Sequence, residues 1–103
     1  MNADETNQAR IEEMTKRLEA ALSPSNLIII DESHLHAGHA GAQTGKGHFA
    51  LTIATDQFDG LSPLKRHQLI YQALGDLLDT DIHAIRISAG VSSPLGRRRM
   101  GNN

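Results

Sequence analysis

From His48 to Ala89 the chain reads strand, helix, strand, and that order restricts the fold more than any other feature of the sequence. His48–Thr55 alternates, with Phe49, Leu51 and Ile53 on one face and Ala50, Thr52 and Ala54 on the other, as a half-buried strand does. Phe58-Asp59-Gly60 makes a turn, and Ser62-Pro63 then supplies an N-cap and a proline at the first helical position. Leu69, Ile70, Ala73, Leu74, Leu77 and Leu78 recur at helical spacing as one apolar stripe, which Asp79-Thr80-Asp81 ends. Ile82–Ala89 alternates again: His83, Ile85 and Ile87 share the inward parity, and Ala84, Arg86 and Ser88 the other. Two strands joined through a helix should lie parallel, by a right-handed crossover.

Upstream, Ile11, Met14, Leu18, Ala21 and Leu22 form the apolar side of an amphipathic helix opposite Glu12, Glu13, Lys16, Arg17 and Glu19. Ser23-Pro24-Ser25-Asn26 ends it, and the β-branched run Leu27–Ile30 predicts a short strand antiparallel to the next. His34–Gly47 carries four glycines and no apolar run, which predicts a mobile loop. The fold class expected is therefore α/β (α+β): order α-β-β-α-β, a three-stranded mixed sheet covered on one face by helices. Residues 1–90 are expected to form one domain and residues 91–103, rich in Ser, Gly, Pro and Arg, a disordered basic tail.

Composition removes several function classes. The core must be aliphatic, because aromatics are 3% of the chain, and base stacking is a poor binding mode for the same reason. A net charge of −2 argues against wholesale electrostatic capture of nucleic acid or anionic lipid. With no cysteine there is no disulfide, thiol nucleophile or thiolate ligand within the chain. Residues 1–26 lack the apolar run of a secretory leader, and Asp4, Glu5, Glu12 and Glu13 put acid where mitochondrial targeting peptides avoid it. No segment approaches the ~20 apolar residues of a membrane span, so a cytoplasmic protein without membrane contact is expected.

The remaining chemistry lies in histidine. His34, His36 and His39 give an H-x-H-x-x-H pattern on glycine-containing chain, three neutral ligands within reach of one ion. His83, at the start of its strand, is either a core-edge residue bonded to backbone or an imidazole with one nitrogen reaching outward. Ser33 cannot form a relay with its neighbours His34, Asp31 and Glu32, and no phosphate-cradling strand–glycine–helix loop is present, so no enzyme is expected. Gly38-His39-Ala40-Gly41 fits the G-x-x-G of RNA clamps but falls between strands instead of helices. Lys65, Arg66, Arg86 and Arg97-Arg98-Arg99 are the cations available for phosphate contact, and the same residues serve as ordinary solvated charge.

Taken together, these segments resemble the BolA family: Asp31-Glu32-Ser33 with a histidine soon after, Gly47-His48-Phe49, Phe58-Asp59-Gly60, Arg66 through Leu74, and Ile82-His83-Ala84-Ile85. The resemblance implies a compact fold similar to class II KH domains. It also implies a monothiol glutaredoxin as partner, with a [2Fe–2S] cluster shared between the two proteins. His83 then corresponds to the family's C-terminal ligand, and the loop ligand falls on His36, with His34 and His39 as alternatives. Such a chain supplies only imidazoles, so the thiolates come from the glutaredoxin and its bound glutathione, and the isolated chain, monomer or weak homodimer, binds no cluster. The first expectation is thus a non-enzymatic iron–sulfur adaptor for cluster assembly, transfer or iron regulation. The second is a DNA-binding transcriptional regulator acting through Lys65, Arg66 and Arg86. A third is a cluster-independent association with the glutaredoxin through the same surface.

Overall fold

The structure is a computed structural model that describes residues 3–36 and 45–91. Helix α1 (Ala3–Leu22) leads to strand β1 (Asn26–Asp31), a 3₁₀ turn (Ser33–His36) and β2 (Gly47–Ala54). A second 3₁₀ turn (Asp56–Phe58) is followed by α2 (Pro63–Leu74), a short α3 (Leu77–Thr80) and β3 (Ile82–Gly90). The sheet order is β1-β2-β3, with β1 antiparallel and β3 parallel to β2, the mixed α+β topology that the alternation predicts.

One face of the sheet carries the core. Phe49, Leu51 and Ile53 from β2 meet Met14, Leu18 and Leu22 from α1, Ile70 and Leu74 from α2, Leu77 from α3, and Phe58 and Ile82. The i, i+4, i+8 spacing of Met14, Leu18 and Leu22 takes the centre of the α1 stripe, so Ala21, expected inside, is exposed one position round the helix. Ser62 accepts from the Lys65 amide at 3.2 Å, with Pro63 next to it, as the cap sequence predicts. Thr55 is buried between α1 and the β2–α2 connection. Its hydroxyl donates to the Leu22 carbonyl at 2.7 Å and accepts from the Gln57 amide at 3.2 Å, satisfying one free carbonyl of the helix end.

Two elements differ from the sequence reading. The single second helix is two, broken at Gly75, whose φ of 58° is a left-handed conformation that glycine adopts readily. Arg17 reaches across from α1 and donates through Nη1 to the Leu74 carbonyl at 2.8 Å and to Asp76 Oδ1 at 2.7 Å, holding the break. The apolar stripe runs on through the break because Leu74 and Leu77 both enter the core. The second difference is the phase of β3. Its register moves from Gly47↔Ile82 to His48↔Ala84, leaving His83 as the extra residue of a β-bulge. Ile82 is therefore buried while Ile85 and Ile87 also pack on the core, and His83 is exposed instead of sharing their parity. The first residues of the predicted loop form the Ser33–His36 turn. Residues 37–44, with His39, and residues 92–103, with Arg97–Arg99, lie outside the described residues.

Gly47 is the position least tolerant of a side chain. A Cβ there would lie 2.5 Å from Phe49 Cε2 and 2.9 Å from Asn7 Oδ1, whereas one at Gly90 would meet nothing within 4 Å. Gly47→Ala should lower stability by about 1–3 kcal/mol, as overpacked cores do, and Gly90→Ala should be nearly neutral. Thermal unfolding of both variants checks this; equal melting temperatures would contradict it.

Candidate functional site

The strand directions bring the end of β1 and the beginnings of β2 and β3 to one end of the sheet. Polar side chains from α1 fasten that end together. Asn7, 6% exposed, donates through Nδ2 to Ser33 Oγ at 3.2 Å, and the same hydroxyl oxygen accepts from the His48 amide at 3.1 Å. Arg10 donates through Nη1 to Asn7 Oδ1 at 2.9 Å and through Nε to Asp81 Oδ2 at 3.0 Å. The Ser33 amide donates to Asp31 Oδ1 at 2.8 Å, the Glu32 amide to the His48 carbonyl at 2.7 Å, and the Gly47 amide to the Asp81 carbonyl at 3.0 Å. Buried polar groups satisfied in this way hold a single geometry. The turn that follows β1 and the first residues of β3 are both tied to residues 47 and 48.

His83 stands exposed at this end, its ring centroid 4.9 Å from that of His48 and the planes inclined at 49°. His48 is 5% exposed and lies on the sheet face away from the helices, on the same parity as Ala50 and Thr52. Sequence reasoning placed His48 only as the opening residue of a strand. The signal that could have found it is register: in a parallel pair, the residue opening β2 faces the beginning of β3. His34 is exposed in the 3₁₀ turn, and His36 closes that turn, where its backbone alone is described. The turn carrying His34 and His36 and the bulge carrying His83 thus flank the same two residues. Among the described residues, no three His, Cys, Asp or Glu side chains converge on one point. An imidazole pair alone cannot fill the coordination sphere of a metal, so any ion held here requires ligands from outside these residues.

The expected phosphate contacts are arranged differently from one another. Lys65 is exposed, with no side-chain partner among the described residues. Arg66 is half-buried and donates to the Leu61 carbonyl at 2.9 Å and the Ala89 carbonyl at 3.2 Å, so it joins α2 to the end of β3. Arg86 pairs with Glu32 at 2.6 Å across the open sheet face, and that carboxylate raises the guanidinium pKa. A 270 Å³ hollow lined by Glu32, His48, Phe49, Ala84, Ile85 and Arg86 lies between this pair and the histidine end. Two of the three cations are therefore already engaged.

Asp81 titrates below the ordinary carboxylate range because the Thr80 hydroxyl, and then Arg10, hydrogen-bond its ionised form despite partial burial. A pKa lowered on folding means stability that is full above the unfolded value near ~4 and is lost as pH falls through the folded value. Asp81→Asn should therefore flatten the acid limb of a melting-temperature profile, and a profile as steep as wild type would contradict the contribution. Ser33→Ala leaves Asn7 and the His48 amide without their acceptor and should cost about 1–3 kcal/mol at neutral pH, read by urea unfolding.

The matched family model is described as "BolA-like protein" and covers residues 18–93. The protein named "BOLA1, chloroplastic" of Arabidopsis thaliana is 40% identical over 81 residues, covering 76% of this chain and 51% of that protein. The "DNA-binding transcriptional regulator BolA" of Escherichia coli K12 is 36% identical over 76 residues, covering 74% and 70%. Among solved structures, the BolA domain of SufE1 from Arabidopsis thaliana superposes with a TM-score of 0.71 at 41% identity, covering 81% of this chain and 92% of that one. The chain spans about half the length of the chloroplastic relative. No described helix is long and apolar enough to cross a membrane. The matched span contains both the Gly47-His48-Phe49 strand opening and the Ile82-His83-Ala84-Ile85 bulge, and on this match and these identities the chain belongs to the BolA-like family.

Proposed function

We propose that this chain is a non-enzymatic iron–sulfur adaptor that binds a monothiol glutaredoxin and shares a [2Fe–2S] cluster with it. The observation that carries the reading is the exposed His83 on its bulge, beside the His48 ring and at the sheet end from which the His34 and His36 turn departs. The donor set fits one half of such a cluster: imidazoles are present and thiolates absent, so sulfur ligands belong to the partner and its glutathione. His83 and a loop histidine, His36 with His34 and His39 as alternatives, would hold the cluster. Bound there, it supplies a one-electron centre whose potential is raised by nitrogen ligation. The chain's own part is to present the His83 imidazole at a strand end and to hold the start of the Ser33–His36 turn beside it through the Asn7–Ser33–His48 bonds.

The second reading, DNA-binding regulation, is favoured by similarity to the Escherichia coli protein named a DNA-binding transcriptional regulator. In this chain it would rest chiefly on Lys65, since Arg66 and Arg86 already have partners. The chloroplastic name of one relative means that a cytoplasmic location is part of this proposal only.

Mixing the chain with a monothiol glutaredoxin, glutathione, iron and sulfide tests the adaptor reading by visible circular dichroism. Wild type should develop a cluster spectrum distinct from that of the glutaredoxin alone. His83→Ala should lose it while still binding the apo partner, and His36→Ala should weaken it. An unchanged spectrum in His83→Ala would contradict ligation by that residue. For the second reading, Lys65→Glu should weaken a gel shift and reduce the salt slope by about one, as loss of a single phosphate contact does.

A further inference from the structure

We infer that the outer edge of β1 is a homodimer interface, in which two copies pair their β1 strands antiparallel about a twofold axis through Ile29. The direction of the backbone groups follows from the register. The pairs Asn26↔Ala54, Ile28↔Thr52 and Ile30↔Ala50 run on in phase to Glu32, whose amide donates to the His48 carbonyl. Hydrogen-bonded pairs alternate along an antiparallel ladder, so residues 26, 28 and 30 point their N–H and C=O at β2. Leu27, Ile29 and Asp31 point theirs outward, and among the described residues nothing accepts or donates to them.

A strand added to this edge must place residues 27, 29 and 31 in hydrogen-bonded pairs. For a second copy, antiparallel pairing on a twofold through Ile29 sets Leu27 opposite Asp31 of the other copy, and Ile29 opposite itself. In that register Ile28 and Ile30 of each copy stand opposite Ile30 and Ile28 of the other, in the non-hydrogen-bonded pairs where side chains approach most closely. These two residues are the exposed apolar side chains of the strand, at 48% and 53%. Pairing gathers four isoleucines into one cluster on the open face, bracketed by Asn26 against Glu32 at either end. A register shifted by two residues breaks up this cluster.

The two edges of the sheet are protected unequally. β3 carries the His83 bulge and the charged Arg86, both devices that discourage strand addition. β1 reads Asn-Leu-Ile-Ile-Ile-Asp, with no lysine, proline or bulge. Antiparallel pairing also sends the two histidine-bearing ends in opposite directions along a six-stranded sheet, leaving each free.

Sedimentation equilibrium and amide hydrogen exchange on the full chain test this. Wild type should shift from monomer towards twice the monomer mass with concentration, while the amides of 27, 29 and 31 gain protection and those of 28 and 30 stay protected throughout. Ile28→Lys with Ile30→Lys, at exposed positions, should raise the dimer Kd at least about tenfold. Ile28→Glu with Ile30→Lys sets opposite charges face to face only in the stated register and should dimerise more tightly than the double lysine variant. A wild type that stays monomeric throughout would overturn the inference, as would a double lysine variant that dimerises like wild type. So would a charge-complementary variant no tighter than the double lysine one.

Discussion

The bond from Asn7 to Ser33, with Arg10 behind it, is the constraint on which the arrangement of this protein rests. Ser33 lies between β1 and the turn that bears His34 and His36, and its hydroxyl also receives the His48 amide. Arg10 carries the same support to Asp81, one residue before β3. Three chain segments that the sheet alone would leave frayed at their ends are thereby fixed relative to a single helix. Gly47 belongs to the same device, since the Asn7 amide and the Phe49 ring fill the space a Cβ would need.

Period and turn chemistry made most of the fold legible. Phe49, Leu51 and Ile53 alternate so cleanly that β2 is unambiguous, and Ser62-Pro63 marks the start of α2 where the cap bond is found. The break at Gly75 was hidden because the apolar spacing from Ile70 to Leu78 continues through it; the glycine ends the helix, and Arg17, 57 positions before Leu74, holds the break through the Leu74 carbonyl, a contact periodicity cannot express. The bulge at His83 was hidden for a related reason. Alternation counts residues, and a bulge inserts one without changing the residue types around it. Asn7 and Arg10 carry no signal in the sequence and Asp81 reads only as part of a helix end, because only the folded chain brings residues so far apart in sequence together. His83 and the loop histidines were identified as candidates from residue type and resemblance. The burial of His48 and the engagement of Arg66 and Arg86 needed the register.

The surface divides into regions with different physical character. One end of the sheet is polar, held by charge-assisted hydrogen bonds and carrying the imidazoles. The β1 edge is apolar, and its outward backbone groups have no partner among the described residues. Two of the three cations expected at a phosphate are spent on internal partners, Arg66 on two carbonyls and Arg86 on Glu32. That distribution suits a module that meets other proteins at defined places better than one that wraps a polyanion.

Pulsed electron paramagnetic resonance on the reduced, glutaredoxin-bound cluster, with ¹⁵N-histidine introduced only into this chain, tests the central claim most directly. The account predicts strong ¹⁵N hyperfine couplings from two imidazoles, one of which disappears in His36→Ala, where the cluster is weakened but retained. A spectrum without coupling from this chain would contradict it.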